Sequence, residues 1–193
     1  MKSGGNSADD TAGAGCQEVR IVGLDESFLQ VNELVATAGT SASSATTTTF
    51  YRVFQTHCTH VGTYGVANTG DVTIETTGGV ITSFMEAEHG ISEQAMYTVP
   101  AGKTGYVHTL SGTSDSNKIA TYMLWKRQEI DVIVAPMHAV HLMIEWQTTT
   151  GVWNEEMVYP MRFEEKTDVW MSGNVSTSTG SLNGHFMMLL KDN

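Results

Sequence analysis

A strand–turn–strand pattern punctuated by glycine recurs along this chain, and it most limits what the chain can fold into. Its clearest copy is residues 97–107, where Tyr97 and Val99 flank a threonine in the alternation of a half-buried strand. Pro100 cannot donate to a strand ladder, and Gly102 accepts a positive φ, so a tight turn follows. Because β character returns after this turn, we predict a β-hairpin here.

The same alternation between turn sequences predicts roughly ten to twelve strands and no helix. The composition agrees, because 26 threonines favour strands while 19 glycines and 15 serines supply turns. We therefore predict an all-β fold, a jelly-roll-like two-sheet sandwich that forms a single domain over residues 16–193. The main predicted strands are residues 18–22, 28–37, 50–59, 71–76, 80–84, 118–127, 137–147, 158–163, 168–171 and 183–190, with 158–163 at an edge or irregular because it contains Pro160.

Residues 1–15 are rich in Gly, Ser, Ala and Asp and contain few apolar side chains. Such a segment cannot bury enough apolar surface to order itself, so we predict a flexible N-terminal arm that orders only on a neighbouring subunit. We also expect no secretory signal, because these residues contain no apolar run.

The charge of the chain excludes some partners. Its formal net charge is −11, which disfavours binding to nucleic acid or to an anionic membrane surface.

Cys16 and Cys58 are the two cysteines of the chain and do not amount to a disulfide framework. We therefore expect both to be reduced, with assembly in a reducing cytoplasm.

His57, Cys58 and His60 form the best metal candidate, because zinc favours His and Cys ligands at short spacing. On a strand, however, Cys58 and His60 share one face while His57 points to the other. Two ligands do not make a site, so we assign no metal or cofactor, although metal binding by these three residues stays an open alternative.

Other chemical motifs are weak. Gly102-Lys103-Thr104 matches the end of a phosphate-binding loop, but the first glycine is replaced by Tyr97 and a strand follows in place of a helix. Core packing is the default for Trp125, Trp146 and Trp170, whereas Trp153 is the one tryptophan that we expect at the surface. Four carboxylate pairs lie beside turns and are better explained as solvated acids: Glu86 with Glu88, Glu129 with Asp131, Glu155 with Glu156, and Glu164 with Glu165.

Three stretches together resemble a known class of protein. They are Asp-Thr-Ala-Gly-Ala-Gly at 10–15 running into Val-Arg-Ile-Val-Gly-Leu-Asp at 19–25, Tyr-Thr-Val-Pro-Ala-Gly-Lys-Thr at 97–104, and Phe-Glu-Glu-Lys-Thr-Asp-Val at 163–169. This set is similar to virion proteins of tailed bacteriophages, especially marine ones, of the capsid-decoration (cement) or fibre type. The resemblance implies a β-sandwich and no catalytic residues.

The expected function is therefore that of a non-enzymatic virion protein, which stabilises a phage head by bridging capsid subunits and forms a homo-oligomer such as a trimer. An alternative is a receptor- or glycan-binding module of a tail or head fibre, with Trp153 exposed in a shallow groove. A hydrolase acting on host polysaccharide is a third hypothesis, and it would need a carboxylate pair at catalytic separation in a cleft.

Overall fold

The computed structural model describes residues 1–3, 5–115, 119–149, 151–176 and 180–193. Over these residues the chain forms antiparallel sheets, and none of them is helical, so the all-β prediction is confirmed. The strands in chain order are β1 (Lys2–Ser3), β2 (Cys16–Asp25), β3 (Gln30–Ala36), β4 (Phe50–Val61), β5 (Val72–Glu75), β6 (Ile81–Met85), β7 (Met96–Thr98), β8 (Lys103–Ser114), β9 (Ala120–Arg127), β10 (His141–Thr148), β11 (Val152–Phe163), β12 (Asp168–Val175) and β13 (Leu182–Asp192).

The chain divides into two compact units, Met1–Gln94 and Ala95–Asn193, which we call the N-terminal and C-terminal units. This differs from the predicted arm over 1–15 and single domain over 16–193. The division falls in the polar stretch between β6 and β7, which contains no proline and no long run of glycine or serine, so the sequence does not mark it as a linker. Jelly-roll connectivity is not confirmed by the strand order of either unit.

The N-terminal unit is a small sandwich of two three-stranded sheets. One sheet has the order β3-β2-β4 and the other β1-β5-β6. Alternate residues of β2, such as Val19 and Ile21, meet Val72 and Ile74 of β5 in a buried apolar core. Burial of alternate side chains on facing sheets is the arrangement that the period-2 pattern predicts.

Residues 5–15 belong to this unit and pack on it, so the prediction of a flexible arm is wrong for the described part of that segment. Its anchor is Asp9, whose side chain is fully buried. The Asp9 carboxylate accepts hydrogen bonds from the backbone N–H groups of Cys16, Thr69 and Gly70, each at 2.8 Å. One buried carboxylate therefore replaces the apolar surface that this segment lacks.

Close backbone approach explains why glycine is frequent in and around this segment. A Cβ atom on Gly15 would clash with the Asp9 carboxylate, and one on Gly62 would clash with the carbonyl oxygen of Gly13. Gly62 N–H also donates to the Gly15 carbonyl at 3.0 Å. The glycine-rich composition thus serves tight packing here rather than flexibility.

Cys16 and Cys58 form a disulfide that joins β2 to β4 inside the N-terminal unit. The prediction that both cysteines are reduced is therefore wrong. The two residues lie on neighbouring antiparallel strands with their Cα atoms 5.9 Å apart, which is a normal distance for a bridge. Because 42 residues separate them in sequence, spacing alone did not suggest this pairing.

The C-terminal unit also consists of two facing antiparallel sheets, with the strand orders β10-β9-β12-β7 and β11-β8-β13. Val107 and Leu110 of β8 pack against Leu124 of β9 and Val169 of β12 in its core. β11 is an edge strand whose register is interrupted between Glu156 and Met161, as expected for a segment that contains proline.

The predicted hairpin over residues 97–107 is a corner between these two sheets. The turn itself is confirmed, because Gly102 has a φ of 74° and Lys103 N–H donates to the Pro100 carbonyl. The two flanking strands, however, do not pair with each other: β7 pairs with β12, and β8 pairs with β11 and β13. The hairpin prediction is therefore wrong in its pairing.

Candidate functional site

The structure does not bring the proposed metal ligands together. Cys58 is committed to the disulfide and cannot supply a thiolate. His60 Nδ1 lies 2.9 Å from Glu18 Oε1, while His57 sits on the neighbouring part of β4. Within the part of the chain that the structure describes, no group of three or more His, Cys, Asp or Glu side chains could hold a metal ion.

Glu18 has a structural role at this position. Thr59 Oγ1 donates to Glu18 Oε1 at 2.7 Å, and this hydrogen bond lowers the pKa of the Glu18 carboxyl more than partial burial raises it, with smaller lowering contributions from His60 and Arg20. The Glu18 carboxylate therefore links β2 to β4 beside the disulfide, and its oxygen is engaged within the chain.

The residues that imitate a phosphate-binding loop are all occupied within the chain. The Gly102 N–H donates to Glu165 Oε2 at 2.5 Å, and Thr104 Oγ1 donates to Asn193 Oδ1 at 2.6 Å. Lys103 forms an ion pair with Asp192 of β13. These contacts tie the corner to the last strand and leave no backbone cradle for a phosphate.

The carboxylate pair of Glu129 and Asp131 also separates. Asp131 binds the Lys166 ammonium group at 2.7 Å, which lowers the pKa of the Asp131 carboxyl and raises that of Lys166. Its sequence partner Glu129 lies instead 2.9 Å from His138 Nε2. The two acids thus have different partners, and no acid–base pair of the kind that the hydrolase hypothesis requires forms here.

Glu33 fastens the Thr-rich segment 41–49 to the edge of β3. It accepts the backbone N–H groups of Thr47 and Thr48, each at 2.8 Å. Burial raises the pKa of the Glu33 carboxyl, but these backbone donors outweigh burial and the net pKa is lowered. A shallow groove between residues 33–38 and 42–45 is lined mainly by alanine and serine, and its one carboxylate is Glu33, which is engaged by Thr47 and Thr48.

The four tryptophans divide between the core of the C-terminal unit and the outer face of its β10-β9-β12-β7 sheet, which the sequence analysis did not predict. Trp146 and Trp153 pack against the core of the C-terminal unit, with ring centroids 4.2 Å apart. The expectation that Trp153 is the exposed tryptophan is therefore wrong. Trp125 and Trp170 lie on the opposite face of the β10-β9-β12-β7 sheet and stack on each other.

A group of exposed apolar residues in the C-terminal unit follows β9 in the chain. The segment 133–140, which we call the apolar segment, lies between β9 and β10 and forms no strand. Ile133 and Val134 are each 75% exposed, Met137 is 52% exposed and Val140 is 50% exposed. Part of this segment was predicted to belong to a strand over 137–147, but that strand begins only at His141.

No protein-family model, curated protein or solved structure matches the chain. Among the described residues, no helix is long and apolar enough to cross a membrane.

Proposed function

We propose that the protein is a non-enzymatic structural protein of a tailed-phage virion, which decorates the head and stabilises it by bridging capsid subunits. The observation that carries this proposal is the apolar segment. Contiguous exposed apolar side chains mark surfaces that bind another protein, because leaving them in water costs free energy. The sequence resemblance to virion proteins supplies the particle as the setting.

The energetics suit repeated, moderate contacts. Burying one Ile or Val side chain contributes about 1.5–3 kcal/mol. Ile133, Val134, Met137 and Val140 together can supply several kcal/mol, before the costs of association are subtracted. On a symmetric shell the same contact recurs at every copy, so a modest interface adds up to substantial stabilisation of the particle.

Two further properties are consistent with this setting. The Cys16–Cys58 disulfide suits a protein that is assembled in the host cytoplasm but then persists outside the cell, where oxidising conditions preserve disulfides. The net charge of −11 would keep decorated particles dispersed through mutual repulsion. We expect the protein to act as a homo-oligomer, with a trimer as the simplest arrangement.

Capsid occupancy provides the test. In purified particles, quantitative mass spectrometry should find the protein at a fixed ratio to the major capsid protein. Recombinant protein added to undecorated heads should bind, and the double variant Ile133→Asp, Val134→Asp should reduce occupancy at least tenfold. The matched control is Val80→Asp, which changes an exposed valine at a hairpin of the N-terminal unit and should bind normally.

The proposal fails if the protein is absent from particles, or if the double variant binds as well as the wild type. It also fails if Val80→Asp reduces occupancy as strongly as the double variant does. Thermal melting of all three proteins establishes that the variants are folded, so that a loss of binding reports on the surface alone.

A receptor- or glycan-binding module is the second candidate. The expected exposure of Trp153 no longer supports it, because Trp153 packs against the core. The stacked pair of Trp125 and Trp170 on the outer face of the neighbouring sheet now favours it instead.

A further inference from the structure

An apolar row crosses the outer face of the β10-β9-β12-β7 sheet. Met96 of β7 pairs with Trp170 of β12, Trp170 pairs with Trp125 of β9, and Trp125 pairs with Leu142 of β10. The neighbours of these tryptophans in sequence, Leu124 and Val169, point into the core. Since successive side chains of a strand alternate between faces, the row lies on the face turned away from the core.

The two indole rings are held in a fixed arrangement. Their centroids are 6.4 Å apart and their planes differ by only 14°, so the rings are nearly parallel. Trp125 Nε1 donates to Ser172 Oγ at 2.8 Å, which fixes the orientation of that ring and satisfies its polar group. A ligand that stacks on this pair therefore loses little affinity to ordering of the side chains.

Most side chains that adjoin the aromatic pair on the same face are polar. Ser172 and then Asn174 follow Trp170 along β12, while Met123 and then Thr121 precede Trp125 along β9, with Glu145 opposite Met123 and Gln147 opposite Thr121 on β10. Apart from Met123, the apolar row is bordered on this side by hydroxyl, amide and carboxylate groups, whereas the core of a protein–protein interface would continue as apolar surface. This combination suits a ligand that has both an apolar face and hydroxyl groups.

We propose that the Trp125–Trp170 face is a carbohydrate-binding site that takes neutral polysaccharide. A pyranose ring presents C–H groups on one face, which pack on the electron-rich face of an indole, and hydroxyl groups at its edge, which hydrogen-bond to amides and hydroxyls. The net charge of −11 opposes acidic polysaccharides, so the site selects uncharged ones. The site adjoins the apolar segment, because Arg127, two positions from Trp125 on β9, donates to Met137 Sδ at 3.9 Å, but the carbohydrate assignment does not depend on the virion role.

Affinity electrophoresis in native gels tests the proposal, with hydroxyethylcellulose, xyloglucan, galactomannan and dextran as neutral probes and alginate as the acidic one. We expect at least one neutral polysaccharide to retard the wild-type protein. Trp125→Ala and Trp170→Ala should each weaken this retardation about tenfold or more, while Trp125→Phe keeps part of it. The control is Tyr159→Ala, which removes an 87% exposed ring from the other sheet of the same unit and should leave retardation unchanged.

Several results would overturn the proposal. One is the absence of retardation of the wild-type protein in all four neutral gels, and another is retardation in alginate alone. Loss of retardation in Tyr159→Ala to the same degree as in Trp170→Ala would also reject it. If light scattering instead shows that Trp125→Phe changes the oligomeric state, the row is a protein interface and the carbohydrate assignment is wrong.

Discussion

Replacing Asp9 by alanine should destabilise the N-terminal unit more than any other single removal of a polar side chain there. Three backbone donors, a buried one on Cys16 and two partly buried ones on Thr69 and Gly70, would lose a charged acceptor. Leaving a buried donor unpaired costs about 1–3 kcal/mol, and water entering the vacated space would recover part of that cost. We therefore expect Asp9→Ala to lower the free energy of unfolding by about 3–5 kcal/mol, a large share of what a domain of this size possesses.

Peptide-resolved hydrogen exchange with urea unfolding measures this effect where it arises. Asp9→Ala should raise amide exchange at residues 5–16 and 69–70 and shift unfolding of the N-terminal unit to lower urea. The matched control is Asp10→Ala, since that neighbouring carboxylate is not buried and contacts only Thr11 and Ala12 nearby in sequence. If Asp9→Ala changes the free energy of unfolding by less than about 1 kcal/mol, or if Asp10→Ala costs as much, the anchoring role of Asp9 is refuted.

Three further predictions concern the same unit. Replacing Cys16 and Cys58 by alanine removes a cross-link over 42 residues, and the loop-entropy relation predicts that the free energy of unfolding, measured in urea, then falls by about 4 kcal/mol. A decrease below about 1 kcal/mol would contradict this prediction. The pKa of the Glu33 carboxyl is lowered from 4.5 in the folded state, so the ionised carboxylate stabilises the fold above that value, and this contribution disappears as pH falls through the lowered pKa. Glu33→Gln should therefore flatten the acid side of the profile of unfolding free energy against pH. An unchanged slope would argue against this role of Glu33. Gly62→Ala forces a Cβ against a backbone carbonyl and should cost at least about 1–3 kcal/mol, while Gly78→Ala, with open space around it, should be nearly neutral in thermal melts.

The N-terminal segment shows where composition misleads. A segment with few apolar residues is expected to stay disordered, because apolar burial normally offsets the entropy lost on ordering. Here one carboxylate, Asp9, accepts backbone hydrogen bonds from a strand and from a loop 60 residues away. The sequence contains no local signal for that partnership, since nothing near Asp9 distinguishes it from the half-buried Asp10. Only the long-range contact reveals it.

The all-β class and most strand positions follow from local sequence, whereas strand partners do not. Alternation and turn residues locate β2, β4, β8 and β13 to within a few residues. Turn chemistry also places the bend at Gly102 correctly. A short turn nevertheless fits both a hairpin and a corner, and the choice between them depends on which strands elsewhere in the chain compete for the two edges. In this chain β7 pairs with β12, while β8 pairs with β11 and β13.

The orientation of the tryptophans has a related cause. The alternation in β9 correctly separates Met123 and Trp125 from Tyr122 and Leu124, but both sets are apolar, so hydrophobicity cannot decide which set faces the core. Packing against the facing sheet decides it: Tyr122 and Leu124 are buried, and Tyr122 lies against Trp146 on the neighbouring strand. The outward position of Trp125, matched by Trp170 on the next strand, is the observation on which the carbohydrate site proposed above rests.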